Sequence, residues 1–132
     1  MDIHKSYKYR FYPSQEQQVL LAKSFGCARL VYNRTLSLRS SAYKDHKMSV
    51  SYTDTAFLLT LDKEKEELAF LNEVSSVVLQ QSLRNADTAY SNFFKKKAKY
   101  PRFKSKWDKQ SIRFVDTSFK YDGKDSITLA KM

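Results

Sequence analysis

Apolar residues along the chain predict four helices, and the clearest pattern lies in residues 75–94. Five apolar side chains recur there at intervals of four, three, four and three residues: Leu79, Leu83, Ala86, Tyr90 and Phe93. These intervals place them in one stripe along a helix, with the polar residues between them on the opposite face. Ser75 or Ser76, just before the stripe, is a residue type that caps helix N-termini. The pattern predicts a helix with one buried face.

Two further helices are predicted before residue 45. Ser14 and Gln17 have the spacing of a capping box, which marks a helix start. Gly26 fits the residue just after a helix end, and a second helix is predicted from about Cys27 to Lys44. A helix, a glycine turn and a second helix give the outline of a helix-turn-helix, an outline that other helical bundles share.

Residues 45–51 are polar and predict a loop, and a second capping pair follows it. Ser51 and Asp54 predict the start of a further helix. The acidic residues between positions 62 and 67 predict a hydrated helical face or turn rather than a metal site.

Both ends of the chain have the alternation that is typical of strands. Residues 3–12 alternate apolar and polar side chains up to Pro13, which predicts a strand there. Segments 111–115, 119–121 and 126–130 predict short strands, with Asp122-Gly123 as a hairpin turn. Nothing closes this sheet after Met132, so we expect the chain to be truncated or completed by a partner.

The predicted fold class is α+β, and the net charge of the chain indicates what kind of partner it binds. The 132 residues are enough for one domain and carry a net charge of +10. Residues 95–109 alone hold eight cations and one anion, a net +7. A concentrated positive charge indicates a polyanionic partner, either nucleic acid or an anionic membrane surface. No apolar run is long enough to span a membrane.

The residue inventory does not predict an active site. Cys27 is the only cysteine, which favours a reduced, cytoplasmic protein and excludes an internal disulfide. His4 and His46 have no ligand-type residues at metal-binding spacing. We therefore expect no catalytic residue, no metal and no cofactor in this chain.

The basic segment, defined here as residues 95–109, is the main candidate site. Its predicted contacts with a nucleic-acid backbone are Lys95, Lys96, Lys97, Lys99, Arg102, Lys104 and Lys106. The alternative is that this run of like charges is only a solvated loop. Aromatic neighbours and Pro101 favour phosphate binding, since they anchor and stiffen the segment. We expect Phe103 to tether the segment to the protein, whereas Trp107 either packs in the same way or stacks on a base.

Four ordered motifs resemble the N-terminal part of TnpB/OrfB proteins of bacterial and archaeal insertion sequences. They are "YKYRFYPSQEQ", "FGCARLVYN", "LQQSLRNADTAYSNFF" and "YPRFKSKW". The resemblance implies a helical, helix-turn-helix-like recognition domain inserted into an incomplete wedge-type β-barrel. Its implied divisions are a first barrel strand (1–13), the helical recognition domain (14–97), a basic loop (98–110) and the start of the remaining barrel strands (111–132).

The resemblance also implies partners. TnpB-like proteins are RNA-guided DNA endonucleases of the bacterial or archaeal cytoplasm, and continue into a RuvC-like nuclease with three catalytic carboxylates and a zinc-binding insert. This chain stops before those residues, so we expect it to bind guide RNA and double-stranded target DNA without cutting, and the missing nuclease part is a further possible partner. Tyr52 and Gln80 match residues that read the target-adjacent motif, and a Gln can bond both edges of adenine. The alternative is that Gln80 is an exposed helix residue with no binding role.

Two other functions stay open at this point. One is a stand-alone helix-turn-helix regulator of transposon ancestry that binds DNA without a guide. The other is a helical interaction module whose cations only keep it soluble.

Overall fold

Three α-helices and one 3-10 helix make up most of the described chain. A computed structural model describes residues 6–115, 118–121, 123, 126–129 and 131. The helices are α1 (Gln15–His46), α2 (Tyr52–Lys63), the 3-10 helix (Glu66–Glu73) and α3 (Ser76–Phe94). Two short strands follow, β1 (Phe119–Tyr121) and β2 (Ile127–Leu129). No helix in the described residues is long and apolar enough to cross a membrane.

Helix α1 begins where the sequence predicts and continues past the predicted stop. Ser14 and Gln17 form the capping box, with each side chain bonded to the other residue's backbone N–H. The predicted break at Gly26 is wrong, because α1 runs through it for 32 residues. A glycine inside a helix costs only about 1 kcal/mol relative to alanine. Burial of Cys27, Ala28 and Val31 immediately after it offsets that cost.

The chain reverses between α1 and α2. Lys47 adopts a left-handed backbone with φ 53°, and its N–H donates to carbonyls of the last turn of α1. Ser51 and Asp54 then form the predicted capping box of α2. The acidic residues 62–67 span the end of α2 and the start of the 3-10 helix, which agrees with the predicted helical face or turn.

The stripe of α3 is the centre of the core. Leu79, Leu83 and Ala86 are at most 1% exposed, and Ser75 is the N-cap. Helix α1 packs along this stripe, and the Ser82 hydroxyl donates to the Ala28 carbonyl oxygen at 2.6 Å, which brings the two helices close together. Between Cys27 and Leu36 the apolar face of α1 is buried against this stripe, whereas Leu38 and Tyr43 are 38% and 56% exposed.

The β structure is smaller than predicted. Strands β1 and β2 pair antiparallel with Lys120 opposite Thr128, and Gly123 (φ 81°) has the left-handed backbone that a tight turn requires. Asp122 lies outside the described residues. The strands predicted at 111–115 and, within the described part, at 6–12 are wrong: both segments lack regular structure. Alternation produces a strand only where a neighbouring strand accepts its hydrogen bonds.

The expected wedge-type barrel is not formed by the described residues. They contain a helical domain and one two-stranded sheet, β1–β2. Two three-residue strands cannot close a barrel, because closure requires every strand edge to be paired. The described fold is therefore mainly helical.

Candidate nucleic-acid interface

The basic segment leaves the end of α3 and folds back along α1. Its first anchor is Tyr100, whose hydroxyl lies 2.6 Å from the Ser40 hydroxyl and 3.2 Å from the Tyr90 hydroxyl. The Tyr100 ring also packs edge-on against the rings of Tyr90 and Phe93, at centroid distances of 5.6 and 5.1 Å. Tyr90 completes the cluster by donating to the Leu36 carbonyl oxygen at 3.1 Å. Hydrogen bonds and ring packing together fix this end of the segment.

The second anchor lies four residues further on. The Lys104 N–H donates to Asn33 Oδ1 at 2.8 Å, and Asn33 Nδ2 donates to the Lys104 carbonyl at 2.9 Å. The Asn33 side-chain amide thus bonds both the N–H and the carbonyl of Lys104, as the backbone of a paired strand does. The Lys104 ammonium lies over the Tyr32 ring, 4.3 Å from its centre, which is a cation–π contact. Contacts at Ser40 and then Asn33 show that the segment runs antiparallel to α1.

A tight turn holds the rest of the segment. The Asp108 carboxylate accepts from the Ser105 N–H at 2.8 Å, and the Ser105 hydroxyl accepts from the Trp107 N–H at 3.2 Å. The side-chain amide of Gln110 donates to the carbonyls of Ser105 and Asp108. The segment is irregular in backbone shape, but its own polar side chains fix that shape.

The seven cations predicted to contact a nucleic-acid backbone all lie on this anchored segment. Lys95, Lys96, Lys97, Lys99, Arg102, Lys104 and Lys106 are all exposed, and none forms a salt bridge with another described residue. Lys104 and Lys106 also lie over aromatic rings, but none of the seven has a carboxylate counterion among the described residues, so their charges are available to phosphates. A rigid framework reduces the entropy that these side chains and the segment lose on binding.

The two aromatic predictions for this segment need correction. Phe103 is 64% exposed and does not tether the segment. Tyr100 does so instead, because its hydroxyl satisfies polar partners that a phenylalanine cannot reach. Trp107 is 84% exposed, and Lys106 lies over its ring at 4.6 Å. Packing is therefore excluded for Trp107 in this structure, and stacking on a base stays a prediction.

A second candidate surface, called here the α2–α3 face, consists of Tyr52 of α2 with Gln80 and Arg84 of α3. Tyr52 packs partly against the core, and the Arg84 guanidinium lies over its ring at 4.3 Å. Gln80 is exposed one helical turn before Arg84, so the two side chains share a face of α3. Arg84 thus lies in contact with Tyr52 and on the same face of α3 as Gln80, although the sequence did not single it out. Its spacing of four residues from Gln80 was the available signal.

Burial raises the pKa of Tyr90 to about 12, and the hydrogen bond with Tyr100 adds to the increase. The ordinary pKa is 10, so folding favours the neutral phenol. This contribution to stability is fully present below pH 10 and is lost as pH rises through about 12. We expect the melting temperature to fall over that range, and to fall less in Tyr90→Phe. In Tyr43→Phe, which removes an exposed hydroxyl of α1, the decline should match the parent's.

The described residues contain no group of three or more His, Cys, Asp or Glu that could hold a metal ion. Cys27 is buried in the core, and burial raises the pKa of its thiol. A raised thiol pKa disfavours the thiolate, so this cysteine has a packing role.

Comparison with known proteins also indicates a nucleic-acid-binding domain. A family model described as a helix-turn-helix domain, HTH_OrfB_IS605, matches residues 1–48. In the described part of that range, the structure has the single long helix α1 rather than two helices with a turn between them.

Three curated relatives match most of the chain. A "Putative RNA-guided DNA endonuclease" of Streptomyces pristinaespiralis is 47% identical over 98% of this chain and 32% of its own length. "Putative RNA-guided DNA endonuclease InsQ" of Escherichia coli K12 is 30% identical over 83% of this chain and 27% of its own length. "Virulence protein VsdF" of Salmonella dublin is 37% identical over 74% of this chain and 90% of its own length.

The matches to the two relatives named as endonucleases thus span between a quarter and a third of those proteins' length. The match to the first of them covers nearly all of this chain, including the basic segment and the α2–α3 face. The chain belongs to the TnpB/OrfB family of proteins encoded by insertion sequences.

Proposed function

We propose that this chain is a nucleic-acid-binding recognition unit that holds guide RNA and target-adjacent DNA. The observation that carries the proposal is the row of exposed, unpaired cations on a segment anchored at Tyr100 and Lys104. A solvated loop needs no such anchors. Two relatives named as putative RNA-guided DNA endonucleases support nucleic acid as the polyanion. In this proposal the chain acts in the cytoplasm, and the β1–β2 hairpin contributes to a wedge-type barrel.

The two faces have different roles in this proposal. Contacts from lysines to phosphates supply affinity and register but do not distinguish sequences. The Tyr52–Arg84–Gln80 face carries side chains that can read base edges, since Gln pairs with adenine and Arg with guanine. The basic segment therefore binds the backbone, and the α2–α3 face supplies sequence preference.

Binding measured at several salt concentrations tests the proposal. Fluorescence anisotropy with labelled single-stranded RNA, single-stranded DNA and duplex DNA gives an affinity for each probe. If four to six cations each neutralise a phosphate, log affinity falls against log salt with a slope of roughly −3 to −5. Absence of binding to all three probes at low salt would favour a protein-interaction module. Binding to duplex DNA alone would favour a regulator that uses no guide.

Gln80→Ala separates base reading from phosphate binding. We expect the variant to bind DNA with an unchanged salt slope and an altered preference among sequences, because it loses a base contact and no charge. Selection from a randomised duplex library, for parent and variant in parallel, measures the preference. Thr88→Ala, at another exposed position of α3, should select the parent's sequences. Identical selected sequences for Gln80→Ala would remove this residue from the proposed site.

We further propose that this chain alone does not cleave DNA. The described residues lack the carboxylate cluster that two-metal hydrolysis requires. Incubation with supercoiled plasmid and Mg²⁺ should leave the plasmid intact. Nicking activity that follows the protein through successive purification steps would contradict this.

A further inference from the structure

A narrow groove lies where α1, α3 and the C-terminal half of the basic segment meet. Its charged lining residues are Arg29, Lys104, Asp108, Lys109 and Arg113, and Asn85 of α3 lies among them. The groove has about 20 Å³ of free internal space. That is room for one water-sized group, since a single water needs about 10–15 Å³. A phosphate oxygen fits such a groove, whereas a nucleobase does not.

The charge of the groove is unbalanced. Four cations and one carboxylate line it, and the carboxylate of Asp108 already accepts from the Ser105 N–H. Arg29 is half-buried on α1, and neither it nor Arg113 forms a salt bridge with another described residue. Removing a guanidinium from water without a counterion is unfavourable. An anion bound from outside the chain would supply that counterion.

The groove is also held in shape without a ligand. Lys104 is fixed by Asn33 through its backbone and by the Tyr32 ring through its ammonium. Asp108 and Gln110, both in the groove lining, belong to the hydrogen-bonded turn that begins at Ser105. A site formed in advance loses little entropy when it binds.

We infer that this groove binds a phosphodiester group of a nucleic-acid strand whose neighbouring phosphates lie on the basic segment. The inference rests on the proposed function and extends it to Arg29 and Arg113, which lie outside the basic segment. Guanidinium groups suit this ligand, because their planar N–H groups match two phosphate oxygens at once. RNA and DNA share this chemistry, and the binding arms below distinguish them.

The test compares two variants of α1 that lose the same charge. Arg29→Gln removes the guanidinium in the groove. Lys23→Gln removes a cation whose exposed pair with Glu73 contributes little to stability. Binding of single-stranded RNA, single-stranded DNA and duplex DNA is measured for both variants and the parent at several salt concentrations.

We expect Arg29→Gln to weaken binding about tenfold, from loss of a charged hydrogen-bonding contact. It should also flatten the salt slope by about 0.7 to 0.9, the change for one lost phosphate contact. Lys23→Gln should keep the parent's slope. The probe with the larger loss identifies the strand in the groove.

Arg113→Gln is the second variant, because Arg113 is exposed and lies outside the helices. It should flatten the slope in the same way, even if Arg29→Gln proves poorly folded in a melting experiment. If the parent binds and both groove variants keep its affinity and slope, the groove inference is wrong and the proposed function stands. If the parent binds none of the probes, the proposed function fails as well.

Discussion

Leu83→Asp should strongly destabilise the helical domain. Leu83 lies at the centre of the α3 stripe, is 1% exposed, and packs in one cluster with Val31, Leu59 and Leu71. The substitution removes buried apolar volume and places a carboxylate within a cluster of apolar side chains. We expect a loss of about 4–5 kcal/mol of unfolding free energy. Because domains of this size are stable by only about 5–15 kcal/mol, that loss removes roughly a third or more of the stability and lowers the melting temperature strongly.

Circular dichroism and thermal melting measure this effect. Thr88→Asp is the matched control, since it places the same carboxylate on the exposed face of α3. Exposed substitutions usually change stability by no more than about 0.5 kcal/mol. The control should therefore keep the parent's spectrum and nearly its melting temperature. A Leu83→Asp protein that melts like the parent would show that the α3 stripe is not the core.

The features that the sequence predicted well are those decided by nearby residues. A capping box needs only residues three positions apart, and both predicted boxes are present, at Ser14 and Ser51. The α3 stripe repeats over five positions, and its first four residues are buried. Local hydrogen bonds and helical periodicity are sufficient in these cases.

The wrong predictions concern choices that distant residues decide. Gly26 permits a helix end without requiring one, and packing of α1 on α3 keeps the helix continuous. Residues 6–12 alternate like a strand but have no partner strand in the described part of the chain. In both cases the local signal was compatible with two structures.

The candidate site shows the same division. The positions of the cations in the basic segment follow from the sequence directly, because charge depends on residue type alone; their contact with phosphates stays a prediction. The predicted tether is Phe103, whereas the structure uses Tyr100. The partners of that hydroxyl, Ser40 and Tyr90, are 60 and 10 residues away in sequence. Such a contact becomes visible only when α1 and α3 are placed side by side.

In the basic segment, different residues provide the anchoring contacts and most of the exposed charge. Its contacts with α1 use backbone groups, the Tyr100 hydroxyl and the Lys104 side chain. Lys95, Lys96, Lys97 and Lys99 have exposed side chains, and those anchoring contacts do not use them. These four charges can therefore be removed without disturbing the anchors.

Replacing Lys95, Lys96, Lys97 and Lys99 together by Ser should cause the largest loss of nucleic-acid binding. Each lysine that neutralises a phosphate releases counterions from the nucleic acid, so its removal flattens the salt slope by about 0.7 to 0.9. If all four contact phosphates, the slope changes by about 3 and most of the salt dependence disappears. RNA and DNA should be affected alike, because these contacts do not depend on base identity.

The matched control is the quadruple Lys→Arg variant at the same positions. It keeps all four charges, so its salt slope should equal the parent's. Melting temperatures of both variants should stay close to the parent's, since the core residues and the Tyr100 and Lys104 anchors are unchanged. If the Ser variant binds with the parent's affinity and slope, these lysines are only solvated. Nucleic-acid binding would then have to depend on Arg102, Lys104 and Lys106 together with the groove beside α1.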